Sequence, residues 1–129
     1  MKTWLAMTAV CGLALSVYAG AADRPVLIAC RGAGTSQKLA NDVCRGAESK
    51  PEGIRVVRQG ERPDVRVTVS EPYRAEGAGR DAVAVGFRAS GLTGSVHLDS
   101  PPDRQDLELA SSELVGFVRQ HRKQILGIK

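Results

Sequence analysis

The sequence predicts an α+β fold: a two-layer sandwich in which strand-helix-strand leads into an antiparallel meander and a C-terminal helix, with both helices on one sheet face. Three observations predict it. Apolar residues recur at helical spacing over 39–47 and 103–126. Strict period-two alternation runs through 64–70 and 81–89, so those strands have one apolar and one polar face. Gly- and Pro-containing stretches punctuate the chain between these segments. A polar sheet face stays in water, which leaves the opposite face for the helices.

Lys2 supplies a positive start, and no charge follows from Trp4 to Ala22. Leu5, Val10, Leu13, Leu15 and Val17 form the apolar middle, and Ala19-Gly20-Ala21 fits the small-residue pattern that signal peptidase accepts. A secretory signal peptide over residues 1–21 is therefore expected, with the product periplasmic or secreted. An uncleaved anchor is the rival, because an uncharged run of this length approaches a bilayer span. The small residues at its end favour cleavage. Cys11 lies inside the run, with Thr8 three places before it and Val10 immediately before it; neither suits a lipid-modified cysteine. Contact with the membrane is expected only through the signal, before cleavage.

Residues 22–129 are the right size for one domain. Pro25 to Cys30 is a continuous apolar run suited to a buried strand, and Arg31-Gly32-Ala33-Gly34 stops it. Leu39, Ala40, Val43, Cys44 and Ala47 mark the first helix, with Thr35 or Ser36 placed to cap it. After Pro51-Glu52-Gly53 come a strand at Ile54–Val57 and another at Asp64–Ser70, with Val65, Val67 and Val69 inward and Arg66, Thr68 and Ser70 outward. In the next strand Val83, Val85 and Phe87 share a side, opposite Ala82, Ala84, Gly86 and Arg88. In the last, Leu92, Val96 and Leu98 oppose Thr93, Ser95 and His97. The closing helix carries Leu107, Ala110, Leu114, Phe117, Val118, His121 and Ile125 on one stripe. Asp103 and Asp106 lie at its positive end, Arg119, Arg122 and Lys123 at its negative end, and Gly127 terminates it.

Cys30 and Cys44 are the cysteines that remain after the signal. In an oxidising compartment they are expected to form a structural disulfide pinning the first helix to the first strand. Thirteen intervening residues make no redox motif, and no histidine lies nearby for zinc. The only asparagine, Asn41, precedes Asp42 and Val43, so there is no glycosylation sequon. Without Lys2 the chain has 17 basic against 14 acidic side chains, a mild positive excess. Its aromatic residues are then Tyr73, Phe87 and Phe117, too few beside so modest a charge to suggest a nucleic-acid binder.

A helix, Ile54-Arg55-Val56-Val57, Pro63-Asp64-Val65-Arg66-Val67, further strands and a C-terminal helix together resemble the layout of the periplasmic domain at the N-terminus of TolB proteins. The resemblance covers most of residues 22–129 in element order. It implies a protein-interaction module and carries over no functional residue; the disulfide is a departure from it.

No catalytic constellation, metal cluster or cofactor motif emerges. His97 and His121 are the only histidines. His121 falls on the buried stripe, and His97 with Asp99 makes two ligands, short of a metal site. Two surfaces remain. The open sheet face, its edge strand and the charged loop from Glu71 to Asp81 offer Tyr73, Arg66, Arg88 and His97 as candidate partner-binding residues. The turn between first strand and first helix offers Arg31, Gly32, Gly34, Thr35 and Ser36 as a candidate anion site, although Gln37 stands where a dinucleotide fingerprint needs its third glycine. The expectation is a non-enzymatic, exported binding or accessory domain for a protein or anionic envelope partner. The alternative is a small-anion binder or enzyme built on the Gly32–Ser36 turn.

Overall fold

The computed structural model describes residues 24–74, 77 and 79–128. The expected signal peptide, Cys11 and the cleavage site lie outside the described residues.

Strand β1 (Val26–Gly32) lies between two parallel neighbours, β2 (Ile54–Val56) on one side and β3 (Val65–Val69) on the other. That central place explains the unbroken apolar run at its start, where Val26 and Ile28 are fully buried. The strand does not end at Cys30 as expected. The ladder with β3 pairs Arg31 with Thr68 and Gly32 with Val69, and the Ala33 amide still donates to the Val69 carbonyl (2.9 Å). Arg31 is therefore a strand residue. The chain then turns so tightly that a Cβ on Gly32 would meet the Ser36 carbonyl group at 2.2 Å, which only glycine avoids.

A single 3-10 turn (Gly34–Ser36) leads into helix α1 (Gln37–Glu48), which buries Ala40, Val43, Cys44 and Ala47. The expected hydroxyl cap at Thr35 or Ser36 is not formed. The Ser36 hydroxyl is buried and donates instead to the Ser70 carbonyl (2.7 Å) at the end of β3. Gln37 ties the helix start to the strand: its side-chain oxygen accepts from the Gly32 amide (3.1 Å) and its nitrogen donates to the Cys30 carbonyl (3.2 Å). The expected Cys30–Cys44 disulfide is present, with Cα atoms 6.3 Å apart, inside the usual range.

Strand β5 (Asp81–Ala89) runs antiparallel to β3 on one side and along its whole length to β6 (Leu92–Ser100) on the other. The two-residue connection Ser90-Gly91 has positive φ at both positions (44° and 80°), the primed turn that matches strand twist. The expected long loop after β3 is shorter than its sequence suggests. Tyr73–Arg74 forms a two-residue strand, β4, that pairs with Ala82 and Asp81 and extends the β3 side of β5. The sheet thus runs β2-β1-β3-β5-β6, with β4 beyond the end of β3.

Helix α2 (Arg104–Leu126) opens on a reciprocal cap. The Asp106 amide donates to the Asp103 carboxylate (2.8 Å) and the Asp103 amide to the Asp106 carboxylate (3.0 Å). Gly127, in the left-handed region, ends it as expected. Both helices pack on the same sheet face and against each other, giving the two-layer sandwich. Ser111 and Val115 join the buried stripe, and the Ser111 hydroxyl donates to the Val43 carbonyl (3.0 Å) across the helix pair. Phe117 meets Phe87 at 5.7 Å between centroids, and the His121 ring stands edge-on to Phe117 at 5.3 Å. His121 itself leaves helical geometry (φ −117°, ψ 18°). One turn from the helix end, Arg122 donates to the Glu52 carbonyl (3.0 Å) and the Arg24 carbonyl (2.7 Å), holding the start of β1.

Candidate functional site

The face of the sheet away from the helices is built by alternation. Each inward valine of β3 places its neighbours outward, so Arg66 and Thr68 are exposed, and the same parity exposes Arg88 on β5 and Thr93, Ser95 and His97 on β6. Register then sets which of these stand side by side. Arg66 pairs directly with Arg88, and Arg88 with Thr93; one row along, Arg31, Thr68, Gly86 and Ser95 lie in line. Neighbouring strands are about 4.8 Å apart, so the Arg66 and Arg88 side chains leave the sheet together, with Arg31 one row away.

Like charges directly opposite each other destabilise a strand pair. None of the ion pairs among the described residues includes Arg31, Arg66 or Arg88. The outward residues of β5 between the two ends of the face are small, Ala82, Ala84 and Gly86, so the polar side chains of β3 and β6 stand above a low floor. A shallow depression of about 410 Å³ opens there, bounded by Arg66, Thr68, Gly86, Arg88 and Thr93. Guanidinium groups present planar, paired donors that match carboxylate or phosphate oxygens two at a time.

His97 lies on this face opposite Ala84, two rows from the arginines. Tyr73, opposite Ala82, occupies the next row and is 39 % exposed. The candidate partner-binding residues thus share one face about 20 Å long, cationic at the Arg66–Arg88 end and aromatic at the other. At the aromatic end the charges are neutralised locally, Arg80 on Asp99 (3.3 Å) and Arg74 on Asp81 (3.3 Å).

The candidate anion turn is partly committed to its own structure. The amides of Gly32, Ala33 and Ser36 all donate within the protein, and the Ser36 hydroxyl is spent on Ser70. A Cβ on Gly34 would fall 2.2 Å from a carboxylate oxygen of Glu71, so an acidic group already sits against the turn and would repel an anion. Arg31 leaves this group and joins Arg66 and Arg88. The alternation of Ala29 and Arg31 after Ile28 is the signal in the sequence that points to it. His121 is a partly buried contact of Phe117, and no group of three metal-ligating side chains comes together among the described residues.

Compared with family models, with curated proteins and with solved structures, the chain matches none.

Proposed function

We propose that this chain is an exported, non-enzymatic binding domain whose open sheet face takes an acidic segment of another envelope protein. The observation that carries the reading is the direct opposition of Arg66 and Arg88, reinforced by Arg31, with no carboxylate partner among the described residues. Two guanidiniums held side by side repel, and a bound carboxylate relieves that repulsion while filling both forks. Tyr73 at the far end supplies an aromatic anchor for a segment lying along the face. Export is supported by the uncharged run from Trp4 to Ala22 and by the Cys30–Cys44 disulfide, which suits an oxidising compartment. The TolB-like order of elements, an interaction module in that family, agrees with a binding role.

The test is titration of a polyglutamate peptide into the mature domain, followed by calorimetry. Arg66→Glu with Arg88→Glu is expected to weaken binding by about a hundredfold, a tenfold loss per charge, and wild-type affinity is expected to fall as salt rises. Equal binding by wild type and variant removes this face as the site. Binding of an anionic polysaccharide in place of the peptide replaces the acidic-protein reading. For export, the N-terminus of the protein recovered outside the cytoplasm is expected at Ala22.

A further inference from the structure

We infer that β6 is a self-recognition edge: two copies of the chain join antiparallel along it, in the register that sets Val96 against Val96 of the second copy. The sheet has two edges, and they are treated differently. The β2 edge is three residues long, and its Val56 amide is taken by the Glu48 carboxylate (2.8 Å). The β6 edge is nine residues long and has no neighbour except β5 among the described residues. Of the devices that blunt such an edge it carries one charge, Asp99, near its end. No Lys, Arg, Pro or bulge interrupts Leu92–Ser100, whose ladder with β5 is continuous from Ala89↔Leu92 to Asp81↔Ser100.

The geometry of the hairpin selects the register. A two-residue turn is closed by a hydrogen-bonded pair, here Ala89 and Leu92. Hydrogen-bonded and non-bonded pairs alternate from there, so Leu92, Gly94, Val96, Leu98 and Ser100 turn their amides and carbonyls to β5. Thr93, Ser95, His97 and Asp99 turn theirs to the free edge. Pairing the strand with itself symmetrically about Val96 brings Ser95 opposite His97 of the second copy and Thr93 opposite Asp99 of the second copy. Every outward amide and carbonyl of those four residues then finds a partner, and this is the one symmetric register that uses all nine residues.

The side chains agree with it. Asp99 is the only charged residue in the strand, so no like charges meet; it faces a threonine. On the helix side Leu92 and Val96 are left half-buried because the sheet stops there, and the second copy covers them. The two-fold axis runs perpendicular to the sheet, which keeps both open faces on the same side. Self-association does not rest on the acidic-partner reading, but the two together make a two-site receptor for a partner with repeated acidic segments.

Sedimentation equilibrium of the mature, disulfide-intact protein from micromolar to millimolar concentration is expected to show monomer passing to dimer. Val96→Cys is expected to cross-link copies under mild oxidation, since directly opposed residues in a non-bonded pair have Cα atoms about 4.5 Å apart, within disulfide reach. Thr93→Cys, facing Asp99 of the second copy, stays unlinked. Thr93→Asp places like charges opposite each other twice and weakens association by about tenfold, and adding Asp99→Thr restores it by exchanging the two partners. A monomer at every concentration overturns the inference, as does cross-linking that is no faster at position 96 than at 93, or an exchange variant that fails to recover. A protein that stays monomeric and takes an unrelated extended peptide along β6 overturns it as well.

Discussion

Asp64 accepts two hydrogen bonds from the Arg24 guanidinium (2.9 Å each) and one from the Leu27 amide (2.9 Å), while its own amide donates to the Leu27 carbonyl (2.7 Å). It ties the chain ahead of β1 to the start of β3. Asp64→Ala is expected to cost about 2 kcal/mol, measured by urea unfolding, because a charged acceptor is removed and a strand amide is left bare. Burial pushes the Asp64 carboxyl upward, and the Arg24 and Leu27 bonds outweigh it, so its pKa falls below the ordinary value. Glu61 is held at about 2, first by the Arg55 guanidinium and then by the Arg58 amide. Both carboxyls ionise more readily folded than unfolded. The stabilisation from Glu61 is therefore complete above about pH 4.5 and is lost as pH falls toward about 2, and that from Asp64 is likewise lost on acidification, a decline in Tm that Asp64→Ala diminishes. At this scale the sequence is least legible. Arg66 and Arg88 each read as outward residues, but that they oppose each other follows from a register that no local pattern encodes. The Ser36 hydroxyl looks like a cap and is claimed by Ser70, a residue 34 positions away.

The joint between β1 and α1 is held by one covalent bond and two hydrogen bonds of the Gln37 side chain, one accepted from Gly32 and one donated to Cys30. Cys44 is 1 % exposed, so the bond reaches from β1 into the core. Replacing both cysteines by alanine is expected to lower stability by about 3 kcal/mol, seen as a reduced urea midpoint, since the unfolded chain regains the freedom of the loop between them. Elements with several periods of pattern were legible in advance. The stripe of α2 and the alternation of β3 and β5 repeat often enough to identify both the element and its buried face. Short elements were not: β4 has two residues, too few for any alternation, and exists because Ala82 and Asp81 of β5 offer it a ladder. The end of β1 escapes the local pattern for a related reason. Gly32 reads locally as a turn, and pairing with Val69 keeps it in the strand.

The sheet sorts its strands by how many neighbours they have. Strands β1, β3 and β5 are flanked on both sides, whereas β2 and β6 end the sheet. Native-state hydrogen exchange is expected to be slowest in β1, β3 and β5 and fast in β2 and β4, with the Thr93, Ser95, His97 and Asp99 amides fast in dilute protein. Uniform protection along β6 at the lowest concentrations contradicts the edge geometry described above. The two-layer architecture itself was predictable, because alternating strands and amphipathic helices admit few other arrangements. The grip of Arg122 on the Arg24 carbonyl spans 98 residues and joins the first described residue to the final helix. The opening strand therefore gains its holds in the order in which the chain is made: the ladders with β2 and β3 and the Arg24–Asp64 pair need only the first half of the described residues, and the last hold waits for Arg122.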